Sequence, residues 1–115
     1  MTQELIMIAG PYSSGTKTEE ERSANLEVLN KAALEVFRKG HIPLIGVNNA
    51  LPLIAIAGED SFDEIMMPLS IALAERCDSC LRVDGASNGA DQEVENFRNR
   101  GKSVYFSVEE IPNTK

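Results

Sequence analysis

A chain of 115 residues, 43% hydrophobic and 25% charged, is sized for one domain around one core, here taken as residues 1–115. The formal net charge of −7 repels phosphate backbones, so duplex DNA or RNA is not an expected partner, and an anionic ligand would have to be held by backbone N–H groups or a few local cations. No apolar run reaches the length of a membrane span and the first residues lack a signal peptide's basic start, so no membrane partner is expected and the expected compartment is the cytoplasm.

Leu5 to Ala9 is a short apolar run stopped by Gly10-Pro11 and reads as a buried first strand. The next segment, Tyr12 to Lys17, is rich in turn formers. Thr18 followed by Glu21 matches a capping box, and Leu26, Leu29, Ala33, Val36 and Phe37 recur at helical spacing up to Gly40, predicting a long helix over 18–39. Ile42 to Gly46 reads as a second strand, Asn48-Asn49 as a turn, and residues 50–58 as a short apolar helix or helical turn. Ser61 to Arg76 is predicted helical with Ile65, Leu69 and Leu73 inward and Met66 a further inward candidate, Ser79 to Val83 a third strand, Ala90 to Arg100 a helix, and Ser103 to Phe106 a fourth strand. Ser107 and Glu110 suit a short capped turn. Strands that alternate with helices and are apolar throughout predict a parallel sheet covered on both faces, of four or five strands. Ligands of such sheets bind outside the C-terminal strand ends, which places loops 10–17, 46–49 and 84–89 at the expected site.

Two constellations carry chemistry. Gly10 to Thr18 nearly matches the phosphate-loop pattern G-x-x-x-x-G-K-[ST], but Thr16 separates Gly15 from Lys17, so the loop amides and the ammonium do not converge on one phosphate. A looser reading keeps Gly10, Ser13 and Ser14 beside a ligand at a strand-to-helix loop, against a plain solvated turn. The second is Ser87-Asn88-Gly89-Ala90-Asp91-Gln92-Glu93. Ser87 or Asn88 can cap a helix, Gly89 admits a ligand close to the backbone, and the first helical N–H groups suit an oxygen-rich group. Glu93 borders the buried stripe and has no cation at i+3 or i+4, where Asn96 and Phe97 stand, so no helix salt bridge accounts for it. Cys77 and Cys80 close a helix rather than open one and read as packing residues, and no zinc ligand set accompanies them. His41 reads as a loop residue and Asp78 as a strand-edge cap or pair. Asn48 follows a strand end and either reads a base or sugar or serves the turn. No metal or standing cofactor is expected, and the G-x-G-x-x-G fingerprint of dinucleotide binding is absent.

The run Ile6 to Tyr12 resembles the opening strand and loop of the nucleoside 2-deoxyribosyltransferase-like superfamily, and Glu75 to Glu110 resembles it more closely through Asp78, Asp84-Gly85, Gly89, Glu93 and Gly101-Lys102. Within that superfamily the chain looks most like the small DUF4406 domains, with the Ala-Gly-Pro-Tyr start, Gly40 to Pro43 and a Ser-x-Gly-Ala-x-x-Glu signature. The resemblance implies a three-layer flavodoxin-like α/β fold and an enzyme that breaks or exchanges the N-glycosidic bond of a deoxynucleoside or nucleoside 5′-monophosphate, with Glu93 attacking C1′. It implies that Tyr12 orients Glu93 or packs on the sugar, and that Asp84, Ser87 and Gly89 join the binding set. Ser87 replaces the Asp of family members that act on free nucleosides and leans toward a 5′-phosphate. One departure stands out. The family's second carboxylate falls at Ser70 here, with Asp63 or Glu64 about two turns earlier as candidate substitutes. A non-catalytic nucleotide-binding module of the same fold is therefore the alternative, and a relative acting on another nucleoside ligand such as NAD a third. Residues 50–58 and 65–74 are apolar enough to predict a subunit contact in a homodimer or higher homo-oligomer.

Overall fold

The computed structural model describes residues 2–114. Along the chain run β1 (Leu5–Ala9), α1 (Glu19–Arg38), β2 (Ile42–Leu44), α2 (Gly46–Ala57), α3 (Phe62–Ala74), β3 (Ser79–Arg82), α4 (Asn88–Asn99) and β4 (Ser103–Tyr105), with 3-10 turns at Glu59–Ser61 and Val108–Glu110. The four strands form one sheet in the order β2-β1-β3-β4, every pair parallel. This is a three-layer α/β domain of the flavodoxin-like kind.

The continuous apolar run of β1 follows from burial on both faces. Ile6 and Ile8 pack with Leu29 and Val36 of α1, while Met7 and Ala9 pack with Ala74, Val94 and Phe97 of α3 and α4. Phe97 is 1% exposed, and sealing a side chain of that size contributes roughly 2–3 kcal/mol. Cys77 and Cys80 lie in the same layer as free, buried thiols. Helix α1 starts as its sequence predicts: the Thr18 hydroxyl accepts the Glu21 N–H at 3.1 Å, and three glutamates occupy the positive first turn. It stops at Gly40, whose φ of +99° few other residues adopt.

Two expectations are corrected. Helix α2 begins at Gly46, so Asn48 and Asn49 lie in its first turn rather than in a loop, and β2 is only three residues long. Asn and Pro are poor helix formers, but here Ala50 and Ile54 pack against Met66 of α3, and that packing outweighs propensity. The residues of α3 that bury fully are Met66, the further inward candidate, with Ser70 and Ala74, one step round from Ile65, Leu69 and Leu73, which are partly buried. The cause is that α3 is covered by α2 on one side and by α4 and the sheet on the other. Helix α2 carries no charged residue, and its Leu53 and Ile56 face solvent, in the stretch where a subunit contact is expected.

The N-terminal edge of the sheet is closed by polar side chains. Asp78 accepts the Leu5 N–H at 2.8 Å and returns its own N–H to the Leu5 carbonyl at 2.8 Å. Ser79 and Tyr105 both donate to the Glu4 carboxylate. His41, read from sequence as a loop residue, is fully buried. Its Nδ1 accepts the Glu4 N–H at 2.9 Å, so the proton sits on Nε2, which donates to the Pro112 carbonyl at 2.6 Å. Among the described residues no helix is long and apolar enough to cross a membrane.

Candidate functional site

Strands β1 and β3 are central neighbours, but the chain leaves them toward opposite faces: from β1 to α1 on the Ile6–Ile8 side, from β3 to α4 on the Met7–Ala9 side. The two connections diverge and leave a crevice at the strand ends, the topological switch point of a doubly wound sheet. A cavity of about 180 Å³ occupies it.

The first wall is the loop after β1. Thr16, the residue that interrupts the phosphate-loop spacing, donates both its N–H and its hydroxyl to the Ser13 carbonyl, at 3.1 and 2.6 Å, and closes a turn. Asn25 of α1 donates to the Tyr12 carbonyl at 2.8 Å and ties the loop down. Gly10, Tyr12, Ser13 and Ser14 line the cavity from this side. Lys17 is exposed and does not line it.

The second wall is the start of α4. Ser87 is the residue that caps it: extended at φ −163°, it accepts the Ala90 N–H on its hydroxyl oxygen at 3.1 Å. Its O–H remains free to donate to a ligand. The N–H groups of Asn88 and Gly89 have no intrahelical acceptor and stand at the positive end of the helix. A Cβ on Gly89 would come 3.2 Å from Met67 Sδ, so the absence of a side chain keeps this approach open.

Just over one turn further, Glu93 lines the cavity between the two walls. Among the described residues no side chain donates a hydrogen bond to its carboxylate. Burial pushes its pKa up from 4.5 to about 7, and the Arg82 guanidinium pulls weakly the other way. Arg82 is mostly committed elsewhere: it donates to the carbonyls of Val83 and, at 2.9 Å, Gly85, and pairs with Asp91 at 3.0 Å, bracing the loop that presents α4. Beneath Glu93, burial and then the Glu93 charge push the Cys80 thiol to about 12, and burial lifts Cys77 to about 11. Neither thiol is a nucleophile near neutral pH.

Of the residues singled out in the sequence, Gly10, Tyr12, Ser13, Ser14, Ser87, Gly89 and Glu93 come together. Tyr12 lines the cavity; burial, then the Glu19 charge, pushes its phenol pKa up, and the Arg22 charge pulls the other way. Asn48 does not reach the cavity, because it is in the first turn of α2 and donates to Asn30 of α1 at 2.9 Å. Asp84 is exposed in the loop after β3 and lines no part of the cavity. Ser70 lies in the cavity wall and is 3% exposed, with the backbone of Gly46 packed directly on it, while Asp63 and Glu64 are exposed and outside the wall. Val47, Phe62, Met66 and Met67 complete the wall from α2 and α3. Arg82, not singled out from the sequence, carried one signal: among the described residues it is the one cation at the C-terminal end of a strand.

No protein-family model matches the chain, and neither curated proteins nor solved structures yield a match. Among the described residues no group of three or more His, Cys, Asp or Glu is placed to hold a metal ion. What the site does hold is an unpaired carboxylate poised near neutral pH, flanked by serine hydroxyls and free helix amides.

Proposed function

We propose that the protein is an N-glycosidic-bond enzyme acting on a nucleoside 5′-monophosphate, with Glu93 as nucleophile. One observation carries this reading: a half-buried carboxylate without a side-chain hydrogen-bond donor lines a cavity whose wall also offers the hydroxyls of Tyr12, Ser13, Ser14, Ser70 and Ser87 and the Gly89 amide. A carboxylate kept partly desolvated and unpaired costs stability, and such groups cluster at reaction centres. The family resemblance of residues 84–93 supplies the substrate class. The ionised carboxylate attacks C1′, the electrons of the C1′–N bond leave with the base, and the base takes up a proton. Water then attacks C1′, restoring the carboxylate and releasing a proton. Donors at Ser87 and at the Asn88 and Gly89 amides suit the phosphate oxygens.

A second reading, a non-catalytic nucleotide-binding module, is favoured by Ser70. The wall lacks a second carboxylate to handle the proton of the departing base, and the close packing of Gly46 on Ser70 leaves little room for one.

Chromatography of free base after incubation with deoxynucleoside 5′-monophosphates separates the two. The expected result is release by the wild type that falls at least about 10³-fold in Glu93→Gln. Because attack needs the ionised form, kcat/KM rises with pH through about 7. Saturable binding with no release by the wild type selects the binding module. Release that is equal in the two proteins removes Glu93 from the chemistry.

A further inference from the structure

The Glu93 cavity is too small to hold a nucleotide alone: its volume of about 180 Å³ falls below the roughly 300–1,000 Å³ of ordinary ligand pockets. It is the middle of three. On one side it shares Ser14 and Ser87 with a cavity of about 380 Å³ whose wall carries no charged side chain. On the other it shares Tyr12, Ser13 and Phe62 with a cavity of about 370 Å³ whose wall includes Leu51 and Ile54 and whose charged residues are Glu19, Arg22 and Glu59. The outer cavities therefore differ in kind. The first offers hydroxyls and amides; the second offers apolar and aromatic surface beside a charged rim.

We propose that the second outer cavity is the base subsite, and that Arg22 with Glu19 and Glu59 selects bases carrying an exocyclic amino group. The proposal rests on the nucleotide reading of the Glu93 site. A planar ring is the ligand part that gains most from Phe62, Tyr12, Leu51 and Ile54, because it buries two broad faces at little entropic cost. Its polar edge then meets the rim. Arg22 has five N–H donors in a planar fork and engages Glu19 only at 3.3 Å, which leaves donors for a ring nitrogen or carbonyl. Glu19 and Glu59 only accept. An amino group can donate to them, whereas a carbonyl oxygen in the same place meets the lone pairs of a carboxylate and gains no hydrogen bond. The Arg22–Glu19 pair is an i,i+3 pair with Glu19 78% exposed, a geometry that contributes little to folding, so its arrangement is free to serve a ligand.

The cytosine and uracil deoxynucleoside 5′-monophosphates isolate this edge, since they differ only in an amino group against a carbonyl and in the adjacent ring proton. Calorimetric binding to Glu93→Gln reads the subsite without turnover. The cytosine nucleotide is expected to bind about tenfold more tightly, and Arg22→Gln and Glu59→Gln, each combined with Glu93→Gln, should bring the two ligands within about twofold. Equal affinity at the outset, a preference that survives both rim substitutions, or no binding of either ligand overturns the proposal. Base release by the wild type is measured on the same pair. A binding preference without release leaves the subsite standing and removes the catalytic role of Glu93, whereas release without preference does the reverse. Circular dichroism of the rim variants confirms that they remain folded, so loss of preference reports on the rim.

Discussion

The two edges of one four-stranded sheet treat their polar groups in opposite ways. At the N-terminal edge Asp78 bonds the backbone of β1 in both directions, Glu4 receives Ser79 and Tyr105, and both nitrogens of the buried His41 are occupied. At the C-terminal edge Glu93 faces a cavity with no partner, and two helix amides and a serine O–H stand ready to donate. Both edges are assembled from strand ends and loops, so the contrast does not come from secondary structure. Buried polar groups that satisfy one another lock an arrangement. Groups left unsatisfied are held in place by their surroundings and await a ligand. The two edges therefore separate what holds this fold together from what it offers.

That separation makes opposite predictions for the two edges, and the largest effect belongs to the lower one. His41→Ala opens a void in a fully buried position and strands the Glu4 N–H and the Pro112 carbonyl. The expected loss is about 4 kcal/mol, or roughly 15 °C or more in Tm, with base release per folded molecule unchanged. A Tm within a few degrees of wild type in thermal denaturation would mean that this edge is not the lock it resembles.

At the upper edge the sign reverses. The folded protein keeps the Glu93 proton up to about 7, while the unfolded chain releases it near 4.5. Over that interval the unfolded state binds fewer protons, so this group makes stability fall as pH rises, by an amount on the order of 3 kcal/mol that is complete above pH 7. Glu93→Gln removes the penalty. Urea titrations at pH 5 and pH 8 should show the variant close to wild type at the lower pH and clearly more stable at the higher one. A variant that is less stable at pH 8 would place Glu93 among the structural groups.

How much of this the sequence discloses depends on how local each cause is. The start of α1 is legible because Thr18 and Glu21 satisfy each other three residues apart, and its end because Gly40 adopts a conformation few other residues share. Ser87 as a cap and Glu93 on the border of a buried stripe are likewise local patterns, one or two helical turns in extent. Helix α2 was not legible at Asn48 and Asn49, because what makes them helical is the packing of Ala50 and Ile54 on a different helix. Phe62 and Met67 reach the cavity from α3, more than twenty residues from Glu93, and nothing in their spacing announces it. Arg82 acts by bracing a loop and biasing a neighbour's charge, which becomes visible only once β3 and α4 are placed together.

The smallest effect tests the contrast most finely. In Gly89→Ala the added methyl meets Met67 Sδ at 3.2 Å and its Cε at 3.8 Å, the far end of a flexible side chain that can move aside. Helix propensity favours Ala over Gly by up to about 1 kcal/mol, which offsets the strain, so net stability should stay within about 0.5 kcal/mol of wild type. The methyl nevertheless stands where a ligand oxygen would approach the Asn88 and Gly89 amides, and nucleotide affinity measured by calorimetry should fall about five- to tenfold. An edge that serves a ligand rather than the fold gives that result, with function lost and stability kept. The opposite result, a stability loss above 1 kcal/mol with affinity unchanged, would assign Gly89 to packing and leave the upper edge no more specialised than the lower.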